Sequence, residues 1–267
     1  MDAHPDMMIA HEYFIFRKWI DQKKLGINLL DKDKLFNELY KESYLDQSKG
    51  LRTAGSTVKG YTLQIRDSWQ GRFRNLQVIG DKSGGTTSLI FHNSPKETTK
   101  HFKEMTRTVG IPIKFFHVIR NPYDIIATEA LYRDGPNHAV KSDYNETHKM
   151  DNSGGLWFAA RYLFDCVSAV KQIKHDWSLT DDNLLEVYTE DFLADPRIVI
   201  QKICDFLNLK CTAEYLQQCY DKTFKKISRT RDRVVWPPDL HKWIEKSMKD
   251  YDFLNGYSFE RSEYKHN

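Results

Sequence analysis

Three short apolar runs stand out along the chain, at residues 76–79, 113–119 and 184–188. Each has the length and composition of a strand buried on both faces. The first stops at a glycine-rich turn. The second stops at Arg120-Asn121-Pro122, where proline cannot continue a hydrogen-bonded ladder. The pattern therefore predicts three buried strands.

Longer segments with apolar residues at helical spacing lie between and around these strands. The segment from about residue 13 to residue 45 reads as two helices broken near Gly26. The other predicted helices cover residues 95–109, 124–131, 155–174, 196–207, 213–224 and 239–249. Strands that alternate with helices indicate an α/β fold, in which a parallel sheet carries helices on its faces.

The domain organisation is simple, because no internal repeat and no linker-like shift in composition interrupts the chain. We predict one domain over residues 1–267, with a surface excursion at the polar, glycine-containing segment 46–75. No stretch approaches the roughly 20 apolar residues of a membrane span. The N-terminus lacks the basic and apolar regions of a signal peptide. The sequence as it stands predicts a soluble chain.

Charge and cysteine content narrow the classes of partner. The 40 Lys and Arg residues against 37 Asp and Glu residues give a net charge of +3, too small for a chain whose main partner is a nucleic acid. The cysteines Cys204, Cys211 and Cys219 lie close enough for one bridge, although buried free thiols are the favoured prediction. The sequon at Asn145 matters only if the chain is lumenal.

Two loops are suited to binding anions, because ligands of parallel sheets lie at the carboxyl ends of strands, beside helix N-termini. The first, GDKSGGTTS, begins at Gly80. A Walker A loop needs lysine directly after its second glycine, where this chain has Thr86. A P-loop kinase is therefore a weak alternative, and a plain strand-to-helix turn built on glycine is another.

The second loop, FFHVIRNPYDIIAT, resembles the 3′-phosphate-binding motif of sulfotransferases, in which a buried strand ends at Arg-(Asn/Asp)-Pro and a hydroxyl residue follows. Arg120 and Thr128 occupy those positions, eight residues apart. Arginine suits this task because its planar fork donates two parallel hydrogen bonds to a phosphate. A surface arginine before a helix that starts at proline is the plainer alternative.

Other segments resemble the same family in the same order. The opening DAHPDMMIAHEYFIFR is similar to a segment of the tyrosylprotein and related Golgi sulfotransferases, where a helix ends at Asp-Ala-His-Pro-Asp and a catalytic glutamate follows, here Glu12. VIGDKSGG resembles the loop whose lysine contacts the transferring group, here Lys82. VYTEDFLADPR matches a Tyr-Glu-Asp-Leu element with Thr189 in place of the usual tyrosine. Residues 229–243 resemble a segment that closes over the nucleotide with Thr230 and Lys242.

The resemblance implies a three-layer sandwich with a central parallel sheet, and transfer of a sulfuryl group from 3′-phosphoadenosine 5′-phosphosulfate to an acceptor hydroxyl. The acceptor would be a carbohydrate, a protein tyrosine or a small alcohol. Glu12 would act as general base with a pKa raised by burial, and Lys82 would neutralise charge on the leaving oxygen. Arg120, Thr128, Thr230 and Lys242 would hold the nucleotide. The family needs no metal, and the chain has no His/Cys cluster with metal-ligand spacing.

One element of the family is missing. Its phosphosulfate loop precedes the glutamate by more than the eleven residues found here. GDKSGGTTS resembles that loop, but the 38 residues from Lys82 to Arg120 suit the lysine loop better. We therefore expect a domain without its N-terminal strand and loop. The full-length form would be membrane-anchored in the Golgi lumen, or alternatively cytoplasmic, and a homodimer is possible.

Plainer interpretations stand beside each assignment. Glu12 suits an ordinary helix start, and Lys82 suits a solvated turn. The basic run at residues 222–233 is most simply a solvated face, although it would also attract a nucleotide or an acidic acceptor. A sulfotransferase-like module that binds a nucleotide or a partner without turnover is the second hypothesis.

Overall fold

The computed structural model describes residues 1–25, 31–48, 64–65, 67–133, 153–224 and 226–261. The fold is α/β, with parallel strands flanked by helices, as predicted. The strands are β1 (Met7–His11), β2 (Val78–Lys82), β3 (Phe115–Ile119) and β4 (Leu184–Tyr188). β1 pairs with β2 and β3 pairs with β4, both in parallel, and within the described ranges the two pairs form separate two-stranded sheets.

Every predicted helix is present, with its ends within a few residues of the predicted positions. The helices are α1 (Ile15–Lys24), α2 (Lys32–Ser48), α3 (Thr86–Asn93), α4 (Pro95–Val109), α5 (Pro122–Arg133), α6 (Ser153–Asp176), α7 (Thr189–Ala194), α8 (Pro196–Phe206), α9 (Ala213–Lys222) and α10 (Pro238–Met248). Two 3-10 helices span Thr230–Arg233 and Asp252–Leu254. The short helices α3 and α7 were not predicted, because α3 follows β2 after a three-residue turn and α7 follows β4 directly, each inside a segment that reads as a loop.

The N-terminal segment differs most from expectation. The resemblance placed a helix end at residues 2–6, but these residues form turns, and Met7–His11 is a strand. Met7, Met8 and Ala10 are fully buried, so the strand has no alternation of polar and apolar residues by which to recognise it. α8 and α9 contribute to the apolar cluster around Met7, and α2 also packs on this strand.

β2 begins and ends later than its apolar run suggests. Residues Gly80 to Lys82 continue the strand because they pair in register with Ile9, Ala10 and His11 of β1. The turn is therefore confined to Ser83, Gly84 and Gly85, and α3 starts directly afterwards. Gly84 has a φ of 52°, a conformation that glycine adopts without strain.

The two largest apolar clusters of the described residues pack the helices together and against the strands. One lies between α5, α6 and α10, and it includes Tyr123, Leu156 and Ile244, all fully buried. The other joins α1, α3, α4 and the end of α6 around Trp177, whose ring stacks on Phe102 with centroids 3.8 Å apart. These cores fix the strand ends from which the candidate site is built.

The cysteine prediction was wrong for two residues. Cys204, in the last turn of α8, forms a disulfide with Cys211, and the two Cα atoms lie 6.0 Å apart. A tight turn after the helix brings the chain back, since Leu209 N–H donates to the Cys204 carbonyl at 2.8 Å. Cys166 and Cys219 are free thiols. The sequon at Asn145, and residues 49–63 and 66 of the predicted excursion, lie outside the described residues.

Candidate functional site

Glu12 and Lys82, the two candidate catalytic residues, meet at the carboxyl ends of β1 and β2. His11 pairs with Lys82 in the strand register, and the Glu12 N–H donates to the Lys82 carbonyl at 2.9 Å. The Lys82 ammonium forms an ion pair and hydrogen bond with Glu12 Oε1. Both side chains are about half exposed, at 47% and 50%. The strand pairing therefore brings together two residues separated by 70 positions.

The backbone around Glu12 is strained. Glu12 and Phe14 have φ values of 59° and 58°, in the left-handed region that costs a non-glycine residue roughly 1–3 kcal/mol. The two bends turn the chain sharply from β1 into α1. Strain of this kind persists only where surrounding contacts hold it, and it is concentrated at functional sites.

Asp81 supplies those contacts. Its carboxylate accepts hydrogen bonds from Tyr13 N–H at 3.1 Å and Ile15 N–H at 2.9 Å. It also accepts one from the Ser83 hydroxyl at 2.9 Å. The capping residue of α1, Phe14, makes no side-chain cap, so Asp81 takes the place of a local N-cap and puts negative charge at the helix N-terminus. Sequence analysis did not select Asp81, although its place directly before Lys82 was a usable signal.

The ionisation of Glu12 differs from expectation. The hydrogen bond from Lys82 lowers the pKa of Glu12 below its ordinary value, and the charge of Lys82 and the electrostatic effect of His11 act in the same direction. Desolvation raises this pKa by a smaller amount, because the side chain is half exposed rather than buried. Glu12 is therefore ionised at neutral pH, and it is a weaker base while Lys82 is bound to it.

Arg120 and Thr230 form a second cluster at the carboxyl end of β3. One guanidinium nitrogen of Arg120 donates to the Thr230 hydroxyl and to the Ser228 carbonyl, both at 3.4 Å. The Ser228 hydroxyl lies 3.1 Å from the Thr230 hydroxyl. The structure thus brings together two predicted nucleotide-binding residues that are 110 positions apart.

Thr128 and Lys242 do not join this cluster through any hydrogen bond found among the described residues. Thr128 is an exposed residue, and its hydroxyl donates to the Asp124 carbonyl one turn earlier, at 2.7 Å. Threonine hydroxyls inside helices commonly bond the carbonyl four residues back. Lys242 is exposed on α10. Their roles in nucleotide binding stay predictions.

A buried ion pair fixes Thr230 beside Arg120. Arg231 N–H donates to Asp124 Oδ1 at 3.0 Å, and the Arg231 guanidinium lies 3.5 Å from Asp124 Oδ2. Both side chains are almost completely buried, at 0% and 1% exposure. Burial raises the pKa of Asp124, an effect that the Arg231 charge opposes. The pair anchors the 3-10 helix that contains Thr230 to the first turn of α5.

Glu190 stabilises the turn between β3 and α5, directly after Arg120. This carboxylate, from the VYTEDFLADPR segment, is buried and accepts a hydrogen bond from Asn121 N–H at 3.0 Å and another from the Tyr257 hydroxyl at 2.5 Å. The Asn121 amide donates to the Ser258 and Arg261 carbonyls, both at 3.0 Å. The C-terminal segment therefore locks the strand end from which Arg120 projects.

The two clusters carry different groups, one suited to proton transfer and the other suited to binding an anion. A carboxylate and an ammonium group stand at one pair of strand ends, and a guanidinium and a hydroxyl stand at another. Across the described ranges, no group of three or more His, Cys, Asp or Glu side chains is placed to hold a metal ion. Within the same residues, no helix combines the length and apolar character needed to cross a membrane.

Two sulfotransferase domains are among the solved structures that resemble this chain. No protein-family model matches the chain, and no curated protein matches it either. The sulfotransferase domain of the Synechococcus PCC 7002 olefin synthase is 15% identical over 94% of this chain and 88% of its own, with a TM-score of 0.46. The sulfotransferase domain from the curacin biosynthetic pathway is 12% identical over 88% of this chain and 71% of its own, with a TM-score of 0.36. Neither of these two domains is named as a Golgi enzyme.

Proposed function

We propose that this chain is a sulfotransferase domain that transfers a sulfuryl group from 3′-phosphoadenosine 5′-phosphosulfate to an acceptor hydroxyl. The observation that carries the proposal is the contact between Glu12 and Lys82 at the ends of paired parallel strands. The motif resemblance selected both residues independently of the fold. Ligands of parallel sheets bind at the carboxyl ends of the strands, and the reaction needs a base and a cation side by side at that position.

The chemistry divides between the two side chains. The acceptor oxygen forms a bond to sulfur while the bond from sulfur to the 5′-phosphate oxygen breaks, and the acceptor proton passes to the Glu12 carboxylate. Lys82 neutralises the charge that develops on the leaving oxygen. When Lys82 turns to the anionic donor, Glu12 loses its partner and its pKa rises. The ion pair of the free protein is then a resting state in which both groups are already in place.

The nucleotide half of the proposal rests on Arg120 and Thr230. The contacts that Arg120 makes at 3.4 Å are long for hydrogen bonds. A 3′-phosphate can therefore replace them at a small cost in free energy. The arginine fork donates to two phosphate oxygens, and the Thr230 hydroxyl to a third. We include Thr128 and Lys242 as groups that reach the bound nucleotide.

The proposal also covers the class of acceptor and the compartment in which the chain acts. A carbohydrate or tyrosine hydroxyl suits a half-exposed carboxylate base such as Glu12, because a large acceptor needs open access. The Cys204–Cys211 bridge supports an oxidising compartment, such as the Golgi lumen, since disulfides are rare in the cytosol.

A second candidate function is a sulfotransferase-like module that binds a nucleotide without turnover. The lowered pKa of Glu12 favours it, because efficient general bases have pKa values near the working pH. This candidate keeps the nucleotide cluster and loses only the chemical step.

Calorimetric titration tests the nucleotide site that both candidates share. We expect adenosine 3′,5′-bisphosphate to bind more tightly than adenosine 5′-phosphate by at least about tenfold, since charge-assisted hydrogen bonds to a phosphate are lost without the 3′ group. Arg120→Ala removes this preference. The exposed Arg197→Ala is the matched control and keeps it. Equal affinity for the two nucleotides, or an unchanged preference in Arg120→Ala, contradicts the assignment of Arg120 to the 3′-phosphate. A measurement of sulfuryl transfer distinguishes the sulfotransferase from the module without turnover.

A further inference from the structure

The exposed side of α4 carries a stripe of four cations, Lys96, Lys100, Lys103 and Arg107. At 3.6 residues per turn the four positions fall within an arc of about 60°. The buried residues of this helix, Thr98 and Phe102, lie on the other side. The four residues, which we call the α4 stripe, span about 16 Å along the axis at 1.5 Å per residue.

The α4 stripe has no acidic partners among the described residues. The acids on the same helix are engaged elsewhere, since Glu97 lies 3.5 Å from His101, and Glu104 lies 3.6 Å from both His101 and Lys23. None of the four cations forms an ion pair within the described part of the chain.

The spacing of these cations is unfavourable for an ordinary solvated helix. Lys96 and Lys100 stand four residues apart, as do Lys103 and Arg107, and like charges at this spacing destabilise a helix. Opposite charges at the same spacing stabilise a helix, and among the Lys, Arg and Glu residues of α4 only Lys100 and Glu104 stand four residues apart with opposite charges. An external polyanion would remove the repulsion within the stripe.

The surface beside the stripe contains two open grooves. All four cations, with Thr99 and Glu104, line a groove of about 310 Å³. A second groove, of about 280 Å³, shares Lys103 and Arg107 and extends to Asp176 and Ser178. The two form one path for an extended ligand, and Asp176 and Glu104 are the negative groups beside it.

We propose that the α4 stripe is a docking surface for a linear acidic polysaccharide that carries sulfate or carboxylate groups. Three of its cations are lysines, whose ammonium groups accept an anion from many directions. The aromatic rings nearest to it, Phe102 and Trp177, are buried, so it lacks the platforms on which single-stranded nucleic acids stack their bases. The lining of the second groove includes Phe102 and Trp177, which are mostly buried, so this groove offers a bound peptide little area for anchoring side chains. The inference does not depend on sulfuryl transfer.

The test measures the affinity of the whole chain for heparin, a sulfated polysaccharide, across a range of salt concentrations and without any nucleotide. The stripe variant changes Lys96, Lys100, Lys103 and Arg107 to Gln. The control variant changes four exposed lysines on other helices to Gln, namely Lys24, Lys41, Lys202 and Lys246. Both variants lose the same net charge.

We expect the stripe variant to bind heparin at least about tenfold more weakly, with a shallower salt dependence, because ion contacts that release counterions are lost. We expect the control variant to bind within about threefold of the original chain, since only the general field of the protein changes. A third variant replaces the three lysines of the stripe by Arg and so keeps its charge, and we expect it to keep its affinity for heparin. This result would show that the stripe variant binds weakly because it has lost charge, and not because its helix is disturbed.

Several results would overturn the inference. The first is absence of heparin binding by the original chain at low salt. Equal losses in the stripe and control variants would show that net charge alone matters. A polythymidine oligonucleotide or polyglutamate that outcompetes heparin for the same stripe would show that the partner is a different macromolecule.

Discussion

Asp81 is the residue on which the geometry around Glu12 depends, and its removal has a calculable effect. Asp81→Ala deletes the acceptor of Tyr13 N–H, Ile15 N–H and the Ser83 hydroxyl. The two backbone donors belong to the strained turn and the first turn of α1, where Phe14 provides no side-chain cap. Water reaches this half-buried site and partly replaces the lost acceptor.

The magnitude follows from the kinds of contact. A hydrogen bond to a charged group contributes about 1.5–3 kcal/mol net, and loss of an N-cap costs about 0.5–2 kcal/mol. With two backbone donors and access to water, we expect Asp81→Ala to lower the free energy of unfolding by about 2–3 kcal/mol. Asp81→Asn keeps one acceptor oxygen and loses about 1 kcal/mol.

Urea denaturation followed by circular dichroism measures these changes. The midpoint shifts and the slope stays constant if only native-state contacts change. Ser83→Ala is the matched control, because it removes one donor to Asp81 and leaves the two backbone contacts, and we expect a loss below about 1 kcal/mol. If Asp81→Ala unfolds within about 0.5 kcal/mol of the original chain, as a neutral surface substitution does, Asp81 does not hold the Glu12 turn.

Three further predictions concern the supporting structure. Arg231→Met removes the positive charge that faces the buried Asp124 carboxylate and keeps the backbone N–H donor. We expect a loss of about 3–5 kcal/mol in the free energy of unfolding, measured by urea denaturation, together with weaker binding of adenosine 3′,5′-bisphosphate. Burial raises the pKa of Glu186, but the hydrogen bonds from His117 on β3 and Lys174 on α6 together have a larger opposite effect. The pKa of Glu186 is therefore lowered to about 2. The stabilisation by the ionised Glu186 is present above pH 4.5 and is lost as the pH falls toward 2. We expect the melting temperature of Glu186→Gln to fall less steeply between these pH values than that of the original chain. Replacing Cys204 by Ser opens a short disulfide loop, and we expect a loss of about 2 kcal/mol that reductant reproduces in the original chain and not in Cys204→Ser.

The sequence predicted the elements whose signals are local. β3 is a mainly apolar run that is followed by proline, and α4 has Pro95 at its start and Gly110, with a φ of 65°, after its end. β1 was missed because Met7 and Ala10 are buried on opposite faces and no residue marks its pairing with β2.

The candidate site was predictable only as far as motifs reach. Glu12 and Lys82 stand in recognisable segments, and the fold places them in contact. The groups that hold the site in place are distant in sequence from what they hold: Asp81 accepts from residues 66 and 68 positions away, and Arg231 bonds Asp124 from 107 positions away. No periodicity or spacing along the chain encodes such contacts, because they arise from strand pairing and helix packing.

Sulfuryl transfer from ³⁵S-labelled 3′-phosphoadenosine 5′-phosphosulfate is the most direct test of the role assigned to Glu12 and Lys82. The acceptors are a tyrosine peptide, a glycan mixture and a small alcohol, each with the original chain, Glu12→Gln and the exposed control Glu214→Gln. We expect one acceptor class to gain label, and Glu12→Gln to lower the rate by roughly 10²–10⁴-fold while Glu214→Gln leaves it unchanged. Nucleotide binding without label in any acceptor would favour the non-catalytic module, and transfer at the original rate by Glu12→Gln would contradict the assignment of the base.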